Sequence, residues 1–180
     1  MGPHIIAIAI GLILDRIIGD PPSWPHPVKF IGKLITKLTG WLNKGRARKA
    51  KGVLLVIIVV GITFFATLAI LIGAYSVHIW VGIAVESILI ASGLAQKSLK
   101  VAAMDVYKPL VAKDLPSARQ KLSWIVGRDT EKLNEQEITR GVVETVSENI
   151  SDGITAPLFY AFVFAGAPGL WLYKAINTLD

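Results

Sequence analysis

The sequence predicts an all-α, polytopic integral membrane protein, on three observations. Its 180 residues are 53% hydrophobic and only 18% charged, whereas soluble domains carry about 25% charged residues. Uncharged apolar runs reach the length of about 20 residues that a helix needs to cross a bilayer. Most of the net charge of +6 lies between Lys29 and Lys51, beside apolar segments, which favours a lipid bilayer and not nucleic acid as the partner.

Two helical segments and a proline-rich loop are predicted at the amino end. Residues 5–18 are apolar but short for a span, and we expect them to be retained because no basic leader or small-residue cleavage site accompanies them. The four prolines of residues 19–27 predict a fixed loop. Residues 28–43 place apolar side chains and lysines on opposite faces, which predicts an amphipathic helix lying at the membrane interface.

A transmembrane hairpin is predicted next. Residues 53–74 are uncharged and long enough to span, and residues 77–96 form a second apolar segment after a polar break. Basic residues flank both outer ends of the hairpin, so the positive-inside rule places those ends in the cytoplasm. The second segment contains Glu86, and a carboxyl in a membrane helix indicates function by default. The alternative is that an interface or a neutralising partner makes Glu86 tolerable.

Residues 99–152 have the composition of a cytoplasmic helical insert. Within it, Asp114 is predicted to cap a helix that Gly127 ends. Asn134 is predicted to open the next helix, with Glu137 completing a capping box. The insert is the polar region of the chain.

The last apolar segment, residues 154–173, is interrupted by Pro157, Gly166, Pro168 and Gly169. Such residues are tolerated at membrane depth where the backbone is buried or lines a cavity. The segment is therefore predicted to be broken or re-entrant, and not a straight span.

Acidic and amide side chains gather just before this segment. Glu144 and Glu148 lie one helical turn apart, and Asn149 and Asp152 follow. Mg²⁺ prefers one or two carboxylates together with substrate phosphates and water, so this patch suits a metal–nucleotide complex. A solvated helix face on which Arg140 pairs with Glu144 is the alternative.

For other polar groups, too, the sequence allows more than one role. Arg128 and Asp129 form either a phosphate clamp or an ion pair at a turn. His26 is a ligand, a proton carrier or a structural residue, while Asp15 and Asp20 are either helix caps or part of the same cavity. The common nucleotide, dinucleotide, zinc and serine-hydrolase motifs do not occur, and without cysteine there is no thiolate site.

Taken together, these residues resemble the CobD/CbiB family of cobalamin-biosynthesis membrane proteins, the adenosylcobinamide-phosphate synthases. Several motifs carry the resemblance in the same order along the chain. They are Asp15-x-x-x-Gly19-Asp20-Pro21 with His26-Pro27-Val28 and Gly32, Val126-Gly-Arg-Asp-Thr130, the stretch 143–160, and Gly166-x-Pro168-Gly169 followed by 173–180.

The resemblance implies an enzyme that joins adenosylcobyric acid to (R)-1-amino-2-propanol or its O-phosphate. ATP is the implied co-substrate and Mg²⁺ the implied metal ion. The implied location is the cytoplasmic membrane, with the active site on the cytoplasmic side. The family reaction makes an amide bond, so the site must activate a carboxylate and accept a proton from an amine.

The resemblance does not assign a role to each residue, so we divide the candidate site residues into two groups as a hypothesis. The catalytic group comprises Arg128 and three carboxylates that hold Mg²⁺ or take the amine proton: Glu144, Glu148 and Asp152. The group that binds substrate or phosphate comprises Asp20, His26, Asp129, Asn149, Lys174, Asn177 and Asp180.

Family members continue beyond the motif in which Asp180 is the last residue here. We therefore expect the sequence to be the amino-terminal part of a longer protein, completed by further segments or by a second chain, and a homo-oligomer is left open. Two other functions also fit: an AmpE-like membrane signalling relative, and a small-solute transporter subunit, which Glu86 and the broken segment favour.

Overall fold

The computed structural model describes residues 2–21 and 26–180, and within these ranges the chain is helical, without β-strands. Residues 22–25 of the predicted proline-rich loop lie outside the described residues. The helices are α1 (Gly2–Ile17), α2 (Pro27–Leu42), α3 (Arg48–Val77), α4 (Ile79–Ala91), α5 (Gln96–Val111), α6 (Leu115–Ser123), α7 (Glu135–Ile150), α8 (Ala156–Val163) and α9 (Ala167–Leu179). A π-helical turn, Ser151–Thr155, connects α7 to α8. The all-α prediction is confirmed.

Two helical segments, Arg48–Val77 and Ile79–Val111, are long and apolar enough to cross a membrane. The second comprises α4 and α5, with a turn at residues 92–95 between them. Apolar side chains such as Phe65, which is 67% exposed, cover the outer surface of α3. Their number indicates a membrane protein, because soluble monomers rarely expose large apolar surfaces.

The main hydrophobic core lies among α1–α4, α8 and α9. α1 runs alongside α4 in the same direction, since His4 lies beside Glu86 and Asp15 beside Gln96. Gly11 allows this close approach, because a Cβ there would collide with Ile90. In this core, α9 contributes the buried Trp171, whose indole donates a hydrogen bond to the α4 backbone.

The insert has a small core of its own, formed where α5, α6 and α7 meet. Asp114 caps α6, and the capping box of Asn134 and Glu137 opens α7, as predicted. The predicted helix end at Gly127 is wrong, because α6 already ends at Ser123. Tight turns follow at once, and they turn Ile125 and the next residue back onto the core of the insert.

The apolar segment 154–173 is broken between α8 and α9. The chain reverses at residues 164–166, where Ala165 and Gly166 have φ values of +55° and +89°. The two helices then pack closely, since a Cβ at Gly169 would collide with the Tyr160 carbonyl. As a result, both ends of this helical hairpin lie at the same end of the molecule. Its placement in a bilayer stays a prediction.

Candidate functional site

Two reciprocal contacts hold the end of α1 against the start of α5. The Asp15 carboxylate, 1% exposed, accepts a hydrogen bond from the Gln96 N–H at 2.8 Å. In return, the Lys97 ammonium donates to the carbonyls of Ile17 and Ile18 at 2.7 and 3.0 Å. Each side chain thus satisfies backbone groups that the other helix leaves unpaired. Of the two roles considered for Asp15, the structure supports the helix cap.

The loop after α1 brings Asp20 and His26 together. Gly19, at φ +65°, turns the chain beside the α5 lysine. Asp20 Oδ1 then lies 3.3 Å from His26 Nε2, and the Ser98 hydroxyl donates to Asp20 Oδ2 at 3.4 Å. His26 Nδ1 accepts from the Val28 N–H at 3.2 Å and so caps α2. Since Nδ1 is an acceptor, Nε2 carries the proton that faces Asp20.

Asp152 lies in the π-helical turn and contacts α9. The Tyr173 hydroxyl donates to Asp152 Oδ1 at 3.2 Å, and the Asn177 amide donates to Oδ2 at 3.4 Å. The turn is fixed by the Ala95 N–H, which donates to the Gly153 carbonyl at 3.1 Å. The carboxylate therefore accepts hydrogen bonds from two residues one turn apart on a single face of α9.

Lys174 lies in α9, outside the two candidate spans, and is partly buried. Burial lowers the pKa of its ammonium, while the charges of Asp20 and Asp152 oppose that shift. The charges of Asp20 in the amino-terminal loop and of Asp152 in the π-helical turn therefore both favour the protonated form of this lysine. We call Asp20, His26, Ser98, Asp152, Tyr173, Lys174 and Asn177 the junction site.

Two arginines hold Glu144. Arg128 Nη2 donates to its Oε2 at 3.1 Å, and Arg140 Nε donates to its Oε1 at 2.7 Å. These hydrogen bonds, that of Arg140 above all, hold the pKa of Glu144 below its usual value. Gly141 leaves room for the Arg128 guanidinium, since a Cβ there would lie 2.9 Å from Nη2. The predicted pairing of Arg140 with Glu144 is present.

A groove of about 310 Å³ links this arginine to the junction site. Its polar walls include Arg128, Glu144, Glu148, Asn149 and Asp152, and we call it the Arg128 groove. Glu148 is exposed, and the Asn149 amide donates to a backbone carbonyl of its own helix at 2.9 Å. The groove presents one guanidinium and several carboxylates to solvent, a combination that suits a phosphate ligand with its metal ion.

The structure does not bring every expected site residue together. Among residues 2–21 and 26–180, no three His, Cys, Asp or Glu side chains are close enough to hold a metal ion. The expected three-carboxylate Mg²⁺ site is therefore not preassembled, because arginines hold Glu144 while α9 holds Asp152. Asp129 instead accepts from the Glu131 N–H at 2.9 Å and shapes its turn. Asp180 is exposed at the end of α9.

Sequence reasoning missed two residues of the junction site, Ser98 and Tyr173. The spacing of Tyr173 and Asn177 by four residues places both on one helical face, so this partner of Asp152 was detectable once α9 was assigned. Ser98 gave no such signal, because its contact with Asp20 joins residues that lie far apart in the chain.

The family described as CobD/Cbib protein matches residues 8–180. The chain is 52% identical over 177 residues to "Cobalamin biosynthesis protein CobD" of Halalkalibacterium halodurans, a match that covers 98% of this chain and 55% of that protein. It is 48% identical to "Cobalamin biosynthesis protein CbiB" of Salmonella arizonae and 45% identical to "Cobalamin biosynthesis protein CobD" of Citrobacter koseri. Both of these matches cover 98% of this chain and 56% of the relative.

No solved structure matches the chain. The chain spans about half the length of the curated relatives it matches. Within that half, the family match contains every residue of the junction site and of the Arg128 groove. The chain belongs to the CobD/CbiB family.

Proposed function

We propose that this chain acts in cobalamin biosynthesis, in the ATP-dependent formation of an amide bond at a cytoplasmic membrane. The names of its relatives support the pathway. The observation that carries the proposal is the groove that brings Arg128, Glu148 and Asp152 together. Asp152 also accepts hydrogen bonds from Tyr173 and Asn177, which flank Lys174 in α9. Such a convergence of charges is typical of a site that binds and reacts polar substrates.

The proposed substrates are adenosylcobyric acid and (R)-1-amino-2-propanol or its O-phosphate. A carboxylate is a poor acyl donor, so a carboxylate oxygen first attacks the γ-phosphorus of ATP and displaces ADP. The amine nitrogen then attacks the carbonyl carbon of the acyl phosphate. A C–N bond forms, the C–O bond to phosphate breaks, phosphate leaves and the nitrogen loses a proton.

We assign a separate role in these two steps to each residue of the site. The guanidinium of Arg128 binds phosphate oxygens with its planar fork, and the Lys174 ammonium offsets the charge that builds up at transfer. Glu148 or Asp152 accepts the amine proton. Asp20, held by His26, binds the incoming ammonium before it is deprotonated. Glu144 has a different role from the one expected, because its two hydrogen bonds make it the residue that orients Arg128.

Mg²⁺ fits the Arg128 groove if two carboxylates, and not the expected three, bind it. The ion binds proteins through one or two carboxylates together with substrate phosphates. Glu148 and Asp152 line the Arg128 groove and, unlike Glu144, have no hydrogen bond to Arg128 or Arg140 among the described contacts, so these two would hold the ion. When bound, Mg²⁺ neutralises charge on the nucleotide phosphates.

The bilayer is the other proposed partner. The apolar side of α2 packs on the main core through residues such as Ile31, while Lys29, Lys33 and Lys37 are exposed. Phe30 and Trp41, also exposed, lie under two of these lysines. A helix with lysines and exposed aromatic side chains suits the headgroup layer of the cytoplasmic leaflet.

The test is conversion of adenosylcobyric acid, aminopropanol phosphate and Mg-ATP in membranes that contain the chain. We expect adenosylcobinamide phosphate and ADP in equal amounts, measured by mass spectrometry. A chimera in which the chain replaces the matching part of the Halalkalibacterium halodurans relative is assayed in parallel, with that relative as the positive control. If the relative is active while the chain and the chimera are both inactive, the proposal is overturned. Uptake of adenosylcobyric acid into vesicles without ATP-dependent conversion would instead support a transporter.

A further inference from the structure

A second polar cluster lies inside the bundle, away from the junction site. Glu86, which is 0% exposed, receives hydrogen bonds from three other parts of the chain. His4 Nδ1 lies 2.9 Å from both carboxylate oxygens, the Tyr75 hydroxyl donates to Oε2 at 2.6 Å, and the Ala167 N–H donates to Oε1 at 3.2 Å. The proposed reaction uses none of these groups.

Two glycines make room for the cluster. A Cβ at Gly166 would overlap Glu86 Oε1, and a Cβ at Gly82 would overlap the Tyr75 ring. Gly166 also adopts φ +89°, which a side chain would disfavour. The carboxylate is thus packed directly against the turn that separates α8 from α9.

This contact sets the start of α9. Ala167 is the first residue of the helix, so its N–H has no partner within the helix, and Glu86 supplies one. One turn later, Trp171 Nε1 donates to the Leu89 carbonyl at 3.0 Å. With two points fixed on α4, the helix can neither slide nor rotate freely, and its later residues hold their register.

We infer that Glu86 is a positioning residue for the proposed site. It fixes the turn between α8 and α9, and through α9 it sets where Tyr173, Lys174 and Asn177 lie relative to Asp152 and Asp20. The distance covered is short, since the six steps from Ala167 to Tyr173 rise about 9 Å in a helix. The catalytic part of this inference rests on the proposed function, whereas the coupling of Glu86 to α9 does not.

The position of α9 can be read without any activity assay. A Cβ at Gly93 would lie 3.5 Å from Leu170 Cγ. The sulfur of a cysteine at position 170 would take the place of that Cγ, so cysteines at positions 93 and 170 come within reach of a disulfide. The chain has no other cysteine. We expect rapid disulfide formation in this background and a rate about tenfold lower after Glu86→Leu, because a buried hydrogen bond to a charged group is lost.

Two further variants separate position from charge. Glu86→Gln keeps the shape and an acceptor oxygen, so both crosslinking and turnover should return to within about twofold of the parent. Gly166→Ala keeps Glu86 but displaces it, and should slow crosslinking as Glu86→Leu does. Gly61→Ala, at a glycine of α3 with open space around it, is the matched control and should change neither rate. If Glu86→Leu does not fold, as judged by size exclusion and helix content, the crosslinking rate of Gly166→Ala tests the inference instead.

The inference is overturned if Glu86→Leu, or Gly166→Ala in its place, crosslinks at the parental rate. It is also overturned if Glu86→Gln and Glu86→Leu both lose turnover while crosslinking is unchanged, because Glu86 would then act directly, as a proton carrier. If the parent chain and chimera have no synthase activity but Glu86→Leu still slows crosslinking, the proposed function fails and the coupling to α9 stands.

Discussion

At the residue scale, Glu144 determines where the Arg128 guanidinium lies, because its carboxylate accepts a hydrogen bond from that side chain and another from Arg140. Both bonds are strongest while the carboxylate is ionised. A carboxylate held in this way is a poor metal ligand, since a metal ion would have to displace two cations. Glu144 therefore orients the proposed phosphate-binding group.

This role predicts a pH dependence. Hydrogen bonds from Arg140 and Arg128 lower the pKa of Glu144 below its usual value of 4.5, so their stabilising effect is complete above pH 4.5 and is lost as the pH falls through the lowered pKa. Glu144→Gln should therefore lower Tm slightly at pH 7, and the difference from wild type should vanish at acidic pH. Thermal unfolding in one detergent across this range is the measurement, with Glu131→Gln as the control. A difference that persists at low pH would contradict the ionic role.

Glu148 carries a second prediction at this scale. It is an exposed carboxylate in the wall of the Arg128 groove and is one of two candidates for metal ligand or general base. Glu148→Gln should reduce kcat of the active chimera by at least about 100-fold, the usual contribution of a general acid–base group. The amount of protein in the membrane should not change. Glu131→Gln, outside the groove, should keep full turnover, and an unchanged kcat in Glu148→Gln would remove Glu148 from the site.

At the element scale, the end of α1 and the start of α5 stabilise each other through Asp15 and Lys97. Because Asp20 lies only three residues after Ile17, this contact also places Asp20. The arrangement predicts that the acceptor atom of Asp15 matters more than its charge, since the carboxylate is buried and accepts one backbone N–H.

Two substitutions at Asp15 test this. Asp15→Asn keeps the acceptor and should change both Tm and the KM for the amine little. Asp15→Leu removes the cap and should cost about 1 kcal/mol of stability and raise the KM for the amine by loosening Asp20. Unfolding curves and steady-state kinetics of the chimera are the measurements. Equal damage by Asn and Leu would show that the charge, and not the cap, is required.

Local patterns predicted the elements well, and long-range contacts explain what they missed. Periodic lysines and leucines gave α2, and the capping box of Asn134 gave the start of α7 within the insert. The end of α6 was missed because packing of Ile125 on the insert core, and not the glycine at 127, stops the helix. For Glu86, the sequence showed only that a buried carboxyl needs partners, while His4 and Ala167 became identifiable once the fold was known.

At the scale of the whole molecule, the polar groups divide between the two ends of the bundle. The junction site and the Arg128 groove lie where α1 ends and α5 begins, the end that also carries Lys97. The Glu86 cluster lies toward the turn between α3 and α4, near the end of α3 that contains Tyr75. If the first end faces the cytoplasm, the proposed substrates reach the site from solution, while the apolar outer surface of α3 faces lipid.

This arrangement predicts which single cysteines react from each side of the membrane. Because the hairpin of α8 and α9 reverses at residues 164–166, Ser151→Cys and Asp180→Cys should both react with an impermeant maleimide in inside-out vesicles and be protected in right-side-out ones. Ser76→Cys, exposed near the end of α3, should show the opposite pattern and serves as the matched control. The chain contains no native cysteine, so every signal reports one position. Labelling of positions 151 and 180 from opposite sides would show that 154–173 crosses the bilayer, which would separate Asn177 from Asp152 and dismantle the proposed site.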